Sequence, residues 1–77
     1  MTKEELDIRN EAYNKVKILK SNIENLSTSI DLQRSMPVSI DLFGNKLIPK
    51  IGEKVLQYAY DLCMEALIDA NNEFKKL

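Results

Sequence analysis

From Leu56 to Leu77 an apolar residue recurs at alternating steps of four and three: Leu56, Tyr60, Cys63, Leu67, Ala70, Phe74 and Leu77. That rhythm is the seam of a helix gripped by another helix. A second row, Val55, Ala59, Leu62 and Ala66, lies beside it, and Tyr58, Met64 and Ile68 widen the face further. Only a strip led by Gln57, Asp61, Glu65 and Asp69 suits water. One partner helix is too narrow to cover so wide a face, so the sequence predicts a self-associating helical protein. Leu56, Tyr58, Tyr60, Cys63, Leu67 and Phe74 are the expected interface residues, the tyrosines because they combine a dry ring with a wet hydroxyl.

Size points the same way. A chain of 77 residues buries only about 60% of the surface that it exposes when unfolded, which leaves a monomer marginal. Small domains of this kind are usually stapled, but Cys63 is the single cysteine and there is no histidine. A disulfide within the chain is thereby excluded, and the usual ligand set of a structural zinc ion is missing. Oligomerisation is the staple that remains. The lone thiol suits a reducing compartment, and Met1-Thr2-Lys3-Glu4-Glu5 lacks the basic-then-apolar order of a signal peptide. With no apolar run near the length of a membrane span, the expected location is cytoplasmic.

Charge is abundant and balanced, with 11 basic against 12 acidic residues and a net charge of -1. General nucleic-acid binding rests on a basic surface that releases counterions from phosphates, so it is not expected here, and neither is a strongly acidic DNA mimic. Asn25-Leu26-Ser27 matches a glycosylation sequon by chance.

The chain reads as one small domain in three parts: a helix over about 2–32, a connector over about 33–50 and a helix over about 51–77. Thr2 before Glu4 and Glu5 is a helix start with acid in the positive first turn. Ala12, Val16, Leu19, Ile23, Leu26 and Ile30 then repeat the four-three rhythm, widened by Leu6, Ile8, Tyr13 and Ile18. Glu5 with Arg9 and Glu11 with Lys15 form acid-before-base pairs four apart, and Ser27-Thr28-Ser29 weakens the last turns.

Pro37 and Pro49 bracket the connector. Val38, Ile40 and Leu42 alternate with Ser39, Asp41 and Phe43, the period of a half-buried strand. Gly44-Asn45 suits the centre of a type II′ turn, after which Lys46-Leu47-Ile48 returns as a second strand. A hairpin this small must lie on the helices or pair with another subunit. The rival conformation is a helical turn capped by Ser39. Gly52 disfavours a helix interior, so the stable part of the second helix is expected from Glu53. Two helices so joined fold back as an antiparallel pair, giving a mainly α helical hairpin that assembles into a bundle.

Two polar rows are candidates for chemistry. Asp61, Glu65 and Asp69 stack four apart and repel one another, and the expected register brings Lys15, Lys17 and Lys20 opposite to offset them. On the first helix, Arg9, Tyr13, Lys17 and Lys20 put one aromatic ring among three cations on one face. A nucleotide-like anion would stack its base on Tyr13 and lay its phosphate on Lys17 or Lys20, making these four the candidate ligand-binding residues. Cys63 has no histidine to activate it, and no phosphate-binding glycine loop or nucleophile elbow is present. No catalytic residue, metal ligand or cofactor is expected, and the partners expected are a second copy of the chain and another protein.

In general build, a small assembling helical hairpin rich in Lys, Asn and Ile is similar to many short proteins of phages and mobile elements of low-GC bacteria. Among those are inhibitors of host machinery and sponges that sequester cyclic nucleotide signals. The resemblance implies a non-enzymatic inhibitor or adaptor that binds protein, or a sponge holding an anionic nucleotide in pockets between subunits. It assigns no residue.

Overall fold

The computed structural model describes residues 2–77. Two long helices, α1 (Lys3–Ser35) and α2 (Pro49–Lys75), run antiparallel, joined through a hairpin of β1 (Ile40–Leu42) and β2 (Asn45–Leu47). The fold is mainly helical with one small antiparallel sheet, as the periodicities predict.

Thr2 caps α1 as expected. Its hydroxyl accepts from the Glu5 backbone N–H at 3.1 Å, and the Glu5 carboxylate accepts in return from the Thr2 N–H at 3.4 Å. The far end departs from expectation. The helix continues through Ser27-Thr28-Ser29 and past Leu32 to Ser35. Thr28 and Ser29 turn their hydroxyls back to the carbonyls of Glu24 and Asn25, four residues earlier, so these side chains do not compete with the helical ladder. Val16 and Ile30 are buried, and the residues between them on the same row, Leu19, Ile23 and Leu26, are half-buried. Gln33 extends that row by three residues and is buried as well.

The connector is a hairpin rather than a helical turn. Ile40 pairs with Leu47, Asp41 with Lys46 and Leu42 with Asn45, which leaves Phe43 and Gly44 as the two central turn residues. Both have positive φ, 51° and 83°, the signature of a type I′ turn. The expected turn, Gly44-Asn45 in type II′, is therefore displaced by one residue. Asp41 fixes the corner by accepting the Gly44 N–H on its carboxylate at 3.0 Å. Ile40 and Leu47 are the half-buried pair, and Ile40 rests on Gly52 of α2.

Gly52 corrects a further expectation. It lies inside α2, which begins at Pro49, ahead of the start expected at about 51 and of the stable part expected from Glu53, and it is buried. A methyl group on its Cα would stand 2.6 Å from Ile40 Cδ1 and 3.0 Å from Ile40 Cγ1. The glycine is where β1 presses onto α2, and close packing there offsets the helix cost of about 1 kcal/mol.

The molecule is thin. It extends 51 × 22 × 14 Å with a radius of gyration of 16.3 Å, against about 12 Å for a compact domain of the same length. Val16, Ile30 and Ala70 are the buried apolar residues among those described. Leu67, at the middle of the longest row, is half-buried and not enclosed, because only one helix faces it.

Candidate functional site

Along α2 the expected second row divides, with Val55 and Leu62 exposed and Ala59 and Ala66 half-buried. Leu56, Tyr60, Cys63, Leu67 and Phe74 are half-buried and Ala70 is fully buried, marking the side that α1 covers. Ile51, Val55, Tyr58 and Leu62, spaced four, three and four, are exposed, and Tyr58 keeps 67% of its surface in water. Of the expected interface residues, Tyr58 thus belongs to the outer row and the other five to the seam within the chain. Ile51, at the first position of the expected helix, joins this outer row, and its spacing to Val55 is the signal that finds it.

The carboxylates do not sit where the sequence places them. The helix register is within about one turn of that expected: Arg34 meets Glu53 at 2.9 Å, Lys15 meets Glu73 at 4.0 Å, and Phe74 lies against Arg9 and Tyr13. Asp61, Glu65 and Asp69 are nevertheless exposed, and none of them pairs with Lys15, Lys17 or Lys20. Among the described residues Asp61 accepts only the Gln57 side-chain amide of its own helix, at 3.1 Å. The physical reason is angular. These acids stand on the exposed side of α2, where register alone brings nothing to them. Among the described residues no three acidic or thiol side chains converge as a metal site.

On α1 the four candidate ligand residues divide into two pairs. The Arg9 guanidinium lies 5.8 Å from the centre of the Phe74 ring, and the Tyr13 ring is 6.3 Å from it at a tilt of 49°. Phe74 thus organises Arg9 and Tyr13 at the open end of the hairpin. Arg9 is held there and not by Glu5, and Lys15 reaches Glu73 and not Glu11. Lys17 and Lys20 are exposed and form no ion pair within the described residues.

At the closed end a polar group does structural work that the sequence reading missed. The buried Gln33 side-chain amide donates to the carbonyls of Val38 at 2.8 Å and Pro49 at 3.0 Å, while its oxygen accepts the Val38 N–H at 3.4 Å. One side chain therefore ties both ends of the hairpin to α1. An open apolar groove, walled by Leu32, Met36, Val38, Ile40 and Leu56, runs beside it. Beyond the groove, Phe43 stands at the tip of the turn, 97% exposed. No helix of the described residues is long and apolar enough to cross a membrane. No protein-family model, curated protein or solved structure matches the chain.

Proposed function

We propose that this chain is a non-enzymatic interaction protein, an oligomeric helical module that acts by binding protein, as an inhibitor or adaptor. The observation that carries the reading is surplus surface. The chain exposes 6182 Å², whereas a folded monomer of this mass exposes about 4,800 Å². Much of what is exposed is large and apolar, including Leu32, Met36, Phe43, Tyr58 and Ile68. A surplus of about 1,400 Å² exceeds the roughly 800 Å² that each partner gives to an interface of standard size. The absence of histidine and the single half-buried thiol support a non-enzymatic reading. Sedimentation velocity across micromolar concentrations tests it: a mass above that of one chain is expected, and a single chain throughout would remove the oligomer.

A second reading has its own observation. Tyr13 is half exposed beside Lys17 and Lys20, which form no ion pair among the described residues. An anionic nucleotide held between subunits would use that set, together with Arg9. A thermal shift against a nucleotide panel separates the readings, because a ligand at 100 times its dissociation constant stabilises the fold by about 2.7 kcal/mol.

A further inference from the structure

We infer that two copies of this chain associate through the outer row of α2, with the two α2 helices antiparallel about a two-fold axis near Gln57. The inference rests on the oligomeric reading above and adds to it the surface and the orientation. Ile51, Val55, Tyr58 and Leu62 have the spacing of a helix-pair seam and are exposed throughout. Glu65 and Asp69 take the next two seam positions, so the apolar stretch is short and ends abruptly. Laid against itself in reverse, it sets Ile51 opposite Leu62 and Val55 opposite Tyr58, apolar on apolar along its length.

Charge decides the orientation. At 100° per residue, Lys50, Lys54, Asp61 and Glu65 all lie on one side of the row, roughly 50° to 110° round from its centre. All four are exposed, and none belongs to an ion pair among the described residues. In an antiparallel pair with two-fold symmetry, that side of one helix meets the same side of the other in reverse order. Lys54 then stands beside Asp61 of the second copy, and Lys50 beside Glu65. Two bases followed by two acids, centred on the middle of the apolar row, form a self-complementary strip. A parallel pair would instead turn this side toward the flank of Gly52, Ala59 and Ala66, where α2 has no charged residue at those three positions to meet it. The antiparallel pair also accounts for acids that repel each other within one helix and find no cation there.

The test uses two variants of the full chain. Lys50→Glu with Lys54→Glu makes the strip wholly acidic, and Asp61→Lys with Glu65→Lys makes it wholly basic. Each alone should self-associate at least about tenfold more weakly than the natural chain, and an equimolar mixture should recover tight association that fades with salt. If the natural chain assembles but both variants assemble as well as it does, with no preference for mixing, the antiparallel seam is wrong and the oligomeric reading stands. A natural chain that stays single would remove both. Cysteine cross-linking in a Cys63→Ala background gives a check that does not depend on the charges. Tyr58→Cys should link to its own counterpart near the axis, while Leu62→Cys should not, and equal linking at both positions would establish a parallel pair and overturn the inference.

Discussion

The two ends of this hairpin are held by different physics. At the closed end the chain is tied by directed contacts: the three hydrogen bonds of Gln33, the contact of Ile40 on Gly52 and the Arg34–Glu53 pair. At the open end one ring, Phe74, gathers Tyr13 and Arg9, and a long Lys15–Glu73 pair lies beside it. Directed contacts specify one arrangement, whereas a ring tolerates neighbours that shift. The difference assigns roles: the closed end sets the register of the helices, and the open end holds them together.

Breaking the closed end should have the largest effect. Gln33→Ala empties a buried side-chain site and leaves the part-buried carbonyls of Val38 and Pro49 without the amide that serves them, and should cost about 2 to 3 kcal/mol. Gln33→Leu keeps the bulk and should cost nearly as much, because polarity and not volume is what the site uses. Chemical denaturation at fixed protein concentration measures both. A Gln33→Leu chain as stable as the natural one would mean that the clamp holds nothing.

Gly52→Val comes next. Its side chain would meet Ile40 at a distance real side chains do not occupy, so the hairpin must lift from α2, costing about 1 to 3 kcal/mol as overpacking does. Shortening the neighbour with Ile40→Ala in the same chain should recover part of the loss. That recovery is the informative measurement, since a mere change of helix propensity would not respond to residue 40.

At the open end, Phe74→Ala should cost about 1 to 2 kcal/mol, less than a fully buried phenylalanine because Phe74 is half-buried. If the ends differ as argued, amide exchange in this variant should quicken near Arg9 and Tyr13 and stay slow around Gln33. Equal quickening at both ends would show one cooperative unit and dissolve the distinction.

The sequence makes the helical seam legible because a period repeated over many residues averages out local exceptions. Thr2 and the row from Ala12 to Ile30 carry the expected meaning for that reason. The closed end is legible only in outline. Gly52 reads as a weak helix former because its need for a missing side chain comes from Ile40, in another element. Gln33 reads as the first residue of a loop because its partners, Val38 and Pro49, are fixed only once the hairpin closes. The acids at 61, 65 and 69 mislead for a related reason: register along a helix pair can be counted from the connector, but the face on which a side chain stands requires the helix phase as well.

The smallest predicted effect lies at the tip of the turn and has the opposite sign. Phe43 adopts φ 51° and is 97% exposed, so it occupies a backbone conformation that favours glycine and asparagine while contributing no burial. Asn-Gly is the pair that a type I′ turn prefers, and Phe43→Asn creates it without touching the rest of the closed end. The substitution should raise stability by about 0.5 to 1 kcal/mol, seen as a higher denaturation midpoint with an unchanged slope. Against a closed end where Gln33 and Gly52 each suit their place, Phe43 is the residue that does not. A loss of stability on Phe43→Asn would show that the ring is covered in the assembled protein by a second copy. A gain would leave Phe43 as a side chain whose cost is borne by the fold, and would direct the search for a bound protein to the tip of the hairpin.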